Sequence, residues 1–367
     1  MSVGILHRST ATHFAELSTL NSQLRPPLPR KLAGLLLGLG ISALAGWWAL
    51  HDVDLKSLPG YLASANSSYL LLAVVVATAT FPIRAMRWRL LMRDDQGAMP
   101  PWSAAWHATA IGFMANNVLP FRLGEVVRGA AIARLGRMSF PAALASIAVE
   151  RVFDALSVVA LFAIALATNA FPIGLTVAGR PAGELIQVVG IAGLFAIAAA
   201  VVAGIYPDRA ERIIRVIVPW SKLADRLAGI FQSFAHGLRV LHDPKRIALA
   251  VLGSLLLWTV NAWSFGLAFQ AFGLPGGPAA AVLLQTFVVF AVAVPAAPGY
   301  IGVIEYAMQL AGKVIGVPEA ASLAAALSYH ILTYIPITLL GAWSLTRTGL
   351  KLGELSGAGS TSTATGS

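Results

Sequence analysis

Glu150, Arg151 and Asp154 sit inside a run, 140–168, whose other residues are almost all apolar. Glu150 and Asp154 share a helix face at i,i+4 and Arg151 meets Asp154 at i,i+3, so the cluster partly neutralises itself. Ionisable groups within a membrane span are costly and turn to the bundle interior or to a pathway. The chemistry open to them is gating, proton coupling, or an ion-pair lock to Arg122 or Arg128.

Two further polar sets follow interruptions of apolar sequence. The first is Asn116-Asn117-Val118-Leu119-Pro120-Phe121-Arg122-Leu123-Gly124-Glu125. Here Asn117 and Pro120 precede a half-helix opened by Gly124, whose first-turn N–H groups and positive dipole end make an anion site. Arg122 and Arg128 bracket that helix start, and a guanidinium suits bidentate contact with phosphate. The same arginines also read as interfacial side chains reaching for headgroups, although Glu125 beside them makes a plain basic anchor less simple. The second set is Val294-Pro295-Ala296-Ala297-Pro298-Gly299-Tyr300-Ile301-Gly302-Val303-Ile304-Glu305. Pro298, Gly299 and Gly302 break the helix ahead of Glu305, which either pairs with an arginine of the first set or carries a proton. His330 and Tyr334 on the last apolar run are candidates for gating or coupling. With Tyr329, Asn261 and His107, they read equally well as packed polar residues.

Broken helices must position these groups. In hydrocarbon every backbone polar group needs an internal partner, so a break at membrane depth survives only inside protein or beside a wet cavity. Composition places the chain in that setting: 57% of residues are hydrophobic and 11% charged, with mean hydropathy +0.75. A soluble domain carries about 25% charged residues. The apolar runs recur at lengths near the ~20 helical residues that cross a bilayer core. The net charge of +10 reads as positive-inside anchoring and is no sign of nucleic-acid binding. With no Cys, disulfides, thiol nucleophiles and thiolate metal sites are excluded.

Charge placement gives the topology. Spans are predicted at 32–50 and 69–91, with Arg84, Arg87, Arg89 and Arg93 marking the second as ending on the cytoplasmic side. The interrupted segment 102–119 is followed by Arg128, Arg134 and Arg137, which would lie outside if it crossed fully, so a re-entrant hairpin is expected. Spans follow at 140–168 and 185–206. The connector 208–246 is basic and amphipathic and lies at the cytoplasmic surface. Spans at 247–272 and 320–346 flank a turn, 274–278, and a second hairpin entering from outside. The fold class is therefore an all-α polytopic membrane protein with about six full transmembrane helices plus two oppositely oriented re-entrant hairpins, or eight spans. Residues 1–30 are read as an uncleaved cytoplasmic segment, 31–348 as the integral domain and 349–367 as a tail without structure. Both termini are expected in the cytoplasm. Trp47, Trp48, Trp88, Trp102, Trp106 and Trp343 read as interfacial belt residues.

Two interrupted segments approached from opposite faces are what an alternating-access site near the midplane looks like in sequence. Enzyme signatures are absent: there is no Walker loop, no G-x-S-x-G elbow and no H-E-x-x-H pair. No catalytic residue, metal or cofactor is expected.

The two break motifs, together with Glu150-Arg151-Val152-Phe153-Asp154 between them, resemble the flippase-like family, also called the lysylphosphatidylglycerol synthase transmembrane-region family. The resemblance covers roughly 31–347. It departs where that family often has Gly after the first-motif Pro and this chain has Phe121. The resemblance implies lipid translocation in the bacterial inner membrane, as a stand-alone member without the aminoacyl-transferase domain. Implied partners are lipids with an anionic or phosphate-bearing headgroup, a lipid-modifying enzyme and a second copy of the chain. A membrane partner that presents lipid to an enzyme without transporting it is the alternative.

Overall fold

The structure, a computed structural model, describes residues 30–51, 53–94, 96–119, 123–167, 176–177, 180–181, 212, 244–294 and 296–361. Pro120, Phe121, Arg122 and Pro295, the predicted span 185–206 and nearly all of the connector 208–246 lie outside these residues. The helices run in the order α1 (Arg30–His51), α2 (Leu58–Ser64), α3 (Ser67–Leu90), α4 (Trp102–Val118), α5 (Gly124–Leu135) and α6 (Phe140–Ala167). After these come α7 (Pro244–Gln270), α8 (Pro278–Ala291), a 3₁₀ turn (Pro298–Tyr300), α9 (Val303–Val314), α10 (Glu319–Thr348) and α11 (Leu352–Thr361). A two-residue antiparallel pairing of Thr176–Val177 with Arg180–Pro181 is the one β element among the described residues. The protein is an all-helical, multi-pass membrane protein.

Among the described residues three helices, in α3, α7 and α10, are long and apolar enough to cross a bilayer, and the shorter apolar stretches are Leu36–His51 and Pro278–Ala291. α6 has 28 residues and carries Glu150, Arg151 and Asp154 within that length. Side chains such as Leu71, Leu252, Ile331 and Leu339 stay exposed, as befits helices whose outer face meets lipid rather than water. Inside, small residues let backbones approach. Ala320, Ala321, Ala324, Ala325 and Ala326 of α10 are buried, and Gly341 sits so close to α4 that a Cβ there would run into Met114 and the Ala110 carbonyl.

Each broken segment folds back on itself. α4 and α5 pack as a hairpin, and the start and end of that hairpin lie side by side, since a Cβ at Gly136 would come within 3.2 Å of Pro100. Arg134, at its end, pairs with Glu354 of α11 at 3.1 Å. The second hairpin, α8 and α9, also returns to the face it starts from. Gly312 near its end lies against Phe269, close to the end of α7, where Asn66 N–H also bonds the Ala271 carbonyl at 2.7 Å.

The tail expected to lack structure from 349 differs. Gly349, at φ +65, ends α10 in the left-handed conformation that favours glycine, and α11 follows. Leu355 is fully buried beside Trp88 and Ile132, with Leu350 and Leu352 packed around it. Leu350, Leu352 and Leu355 seat the segment against α5, which composition over the whole tail does not show.

Because the chain has no cysteine, single introduced ones report the hairpin directly. Cysteines at Arg134 and Lys351 should react with an impermeant maleimide from one side of sealed vesicles, and one at Gly277 from the other. Labelling of position 134 from the side that labels 277 would overturn the hairpin.

Candidate functional site

α6 delivers its acids to a buried charge cluster whose arginines come from other helices. Arg87 of α3 donates through Nη2 to Glu150 Oε1 at 2.6 Å and through Nη1 to Asp154 Oδ1 at 2.5 Å and Ser254 Oγ at 2.9 Å. Arg128 of α5 pairs with Glu150 Oε2 at 2.7 Å and lies over the Trp88 ring at 3.7 Å. Trp258 of α7 donates its indole N–H to Asp154 at 2.9 Å, and Trp88 donates to Ser146 at 3.0 Å. Glu150 is wholly buried, with Arg87 and Arg128 nearly so. Arg151 is about a third exposed and lies 3.4 Å from Asp154 and 3.7 Å from Glu125, within electrostatic range of Tyr300.

Several expectations change here. Arg84, Arg87 and Trp88, read as marking a membrane surface, are buried. Arg87 is a centre of the cluster and Trp88 a floor beneath Arg128. Their positive-inside pattern is indistinguishable in sequence from that of an interfacial turn; only the acids that α6 brings across identify them as interior. Arg89 and Arg93 do cap the helix end, bonding the carbonyls of Pro100 and Met92. Arg128, expected to meet a phosphate, is engaged by Glu150 and Trp88. The Gly124 N–H, expected to face an anion, instead donates to Asn116 Oδ1 at 2.9 Å. A Cβ at Gly124 would run into that amide and the Gly112 carbonyl, so glycine is needed for the hairpin to close.

The tips of the two breaks meet. Tyr334 of α10 donates its hydroxyl to the Asn117 carbonyl at 3.1 Å, and Asn117 donates its side-chain amide to Thr338 at 2.9 Å. Gly299, at φ +70, lies against both: a Cβ there would be 2.8 Å from the Tyr334 ring and 3.6 Å from the Asn117 carbonyl. Tyr334 is near the middle of the 30-residue α10, roughly 20 Å from either end at 1.5 Å per residue, so the breaks meet at mid-depth.

Among the described residues, Glu305 pairs with His330 and not with Arg128 or Lys313. Its Oε1 lies 2.6 Å from His330 Nδ1, and its Oε2 accepts the Gly302 N–H at 2.7 Å, capping the first turn of α9. Lys313 pairs with Glu319 at 2.9 Å. Glu305 and His330 are both buried. Pro298 starts the 3₁₀ turn, and Gly302, at φ +83, turns the chain into α9. A seam on α1 holds this second break: Ser42 Oγ accepts the Ala297 N–H at 2.9 Å, and a Cβ at Gly38 or Gly302 would strike the Ala296 carbonyl or the Ser42 carbonyl. Gly38, Ser42 and Gly46 recur every fourth residue, a small-residue signal that went unused in the sequence reading. Tyr329 and Asn261 bond Ser264 and Gln285 and His107 bonds Ser344, the packed polar role.

No group of three or more His, Asp or Glu that could hold a metal ion occurs among the described residues. The arrangement is instead a charged, conformationally constrained junction buried in apolar helices. Removing one member of a buried pair strands the rest, at about 3–5 kcal/mol. Glu150→Gln should therefore lower the unfolding midpoint in detergent strongly, whereas Arg134→Ala, from an exposed pair worth about 1 kcal/mol or less, should leave it nearly unchanged. Thermal unfolding of the two variants side by side checks this.

Comparison with known proteins agrees with the motif reading. The family described as "Lysylphosphatidylglycerol synthase TM region" matches residues 35–341. A protein named glycosyltransferase AglD from Haloferax volcanii is 26% identical over 336 residues, covering 83% of this chain and 53% of that protein. The chain thus spans about half the length of that relative. A UPF0104 membrane protein, PH1989, from Pyrococcus horikoshii is 20% identical over 332 residues, covering 85% of this chain and 95% of the relative. With most of its length matched and the two breaks and the charge cluster in place, the chain belongs to the lysylphosphatidylglycerol synthase TM region family.

Proposed function

We propose that this protein moves a phospholipid or an isoprenoid or hopanoid lipid between the leaflets of a bacterial inner membrane, and that it does so without catalysing a covalent step. The observation that carries this reading is the junction at mid-depth, where Asn117, Gly299 and Tyr334 bring two oppositely entering broken helices together. A lipid headgroup crossing the apolar core loses its hydration, and unwound backbone plus buried charge can replace it. Both are present. The half-buried Arg151 and Glu125 stand at the edge of the cluster beside Tyr300, where a phosphate-bearing headgroup would meet charge. The deeper Arg87, Arg128, Glu150 and Asp154 hold the helices that frame the path. Glu305 and His330, buried one turn beyond the second break, form the pair suited to gate it.

The relative named as a glycosyltransferase has much of its length outside the match, which favours a second reading. In that reading the domain presents a lipid to a separate lipid-modifying enzyme and does not transport it, alone or as a homo-oligomer.

Leaflet-resolved movement of labelled phospholipids and polyprenyl lipids in proteoliposomes separates the two. Translocation by the wild type is expected, reduced at least tenfold in Arg151→Gln and in Glu305→Gln at equal amounts of folded protein. A folded wild type that moves no lipid would favour presentation.

A further inference from the structure

Arg84 has no partner of its own kind. It is buried on α3 with 6% of its surface exposed, yet among the described residues none of its five donors reaches a hydrogen-bond acceptor or a carboxylate. Its Nε is buried and has no hydrogen-bond partner. Two aromatic rings flank the guanidinium: Phe113 of α4 lies 4.8 Å from its carbon and Trp258 of α7 lies 5.6 Å away. Rings of this kind favour a cation over their faces, but they offer nothing to the N–H groups in the guanidinium plane. The neighbouring acids are committed elsewhere, Asp154 to Arg87 and the Trp258 indole and Glu150 to Arg87 and Arg128.

The charge count points the same way. Among the described residues around the cluster, Arg84, Arg87, Arg128 and Arg151 face Glu125, Glu150 and Asp154, four guanidinium groups against three carboxylates. Burying an unpaired cation is strongly unfavourable, and Arg84, which feels Asp154 only beyond ion-pair distance, is the one of the four without an ion pair among the described residues.

We propose that Arg84 is the seat of a singly charged oxyanion, a phosphate group taken edge-on by its terminal nitrogens between Phe113 and Trp258. A planar fork of donors matches two oxygens of such a group, and a negative charge there answers the guanidinium that no described carboxylate pairs. A lipid phosphodiester and free inorganic phosphate share this chemistry. The proposal rests on the translocation reading only for the choice of lipid as the source. The seat is more buried than Arg151 and is built by α3, α4 and α7.

The test is the thermal midpoint of the delipidated full-length protein in detergent, with phosphatidylglycerol, diacylglycerol or inorganic phosphate added. For the wild type, phosphatidylglycerol should raise the midpoint by several degrees and diacylglycerol should not. An equal rise with inorganic phosphate would assign the seat to the free anion instead of a lipid. Arg84→Gln should lose at least four-fifths of the rise while its ligand-free midpoint stays level or increases, because the variant no longer buries an unanswered charge. Arg84→Lys, which keeps the charge but loses the fork, should retain part of the rise. An undiminished rise in Arg84→Gln, or a rise with diacylglycerol as large as that with phosphatidylglycerol, would overturn the proposal. If Arg84→Gln is too unstable to measure, Arg84→Lys decides: an undiminished rise overturns the seat. Lipid flux through wild-type proteoliposomes is scored separately, so an Arg84-dependent rise without flux keeps the seat and removes transport, and flux without the rise does the reverse.

Discussion

The pairing of Arg87 and Arg128 with Glu150, deep among apolar helices, is the interaction on which the rest of the molecule depends. Charges in a low-dielectric interior survive only with counter-charges and hydrogen bonds at good geometry, and here the partners come from α3, α5 and α6. Each of those helices must therefore hold its position to within the reach of a side chain. Ser254 and Trp258 draw α7 into the same arrangement. Such a cluster adds little net stability over an apolar core. What it supplies is registry: helices that could otherwise slide along one another are tied at one depth.

The breaks are placed by a different means. Where the backbone leaves the helix, its polar groups are answered one at a time, Gly124 N–H by the Asn116 amide, Ala297 N–H by Ser42 and Gly302 N–H by Glu305. Close approach makes these bonds reachable. Gly112 against Gly124 closes the first hairpin, and Gly38, Ser42 and Gly46 let α1 lie directly on the second break. The membrane thus selects both glycine for proximity and short polar side chains for satisfaction.

Between these two devices lies the region through which the proposed path runs. The half-buried Arg151 and Glu125 border the fixed cluster on one side and the Asn117–Gly299–Tyr334 junction on the other. A rigid charged frame next to two interrupted helices is the mechanical combination that alternating access calls for. In the proposed translocation, the packed part stays still while the other, with fewer continuous hydrogen bonds, rearranges.

The sequence by itself determined the membrane setting, the helical class, the two interruptions and the presence of charge inside α6, because hydropathy, Pro–Gly placement and helical spacing are local properties. The family resemblance was legible on the same motifs. The tertiary structure alone decided which charges are interior. Arg84, Arg87 and Trp88 look like the end of a span until α6 and α7 enclose them, and Arg128 looks free until Glu150 takes it. It also decided that Glu305 faces His330 and that the breaks touch through Asn117, Gly299 and Tyr334. These partnerships join residues from 25 to 217 positions apart, and the burial that gives a charge or a glycine its meaning comes from helices that lie far away in the chain.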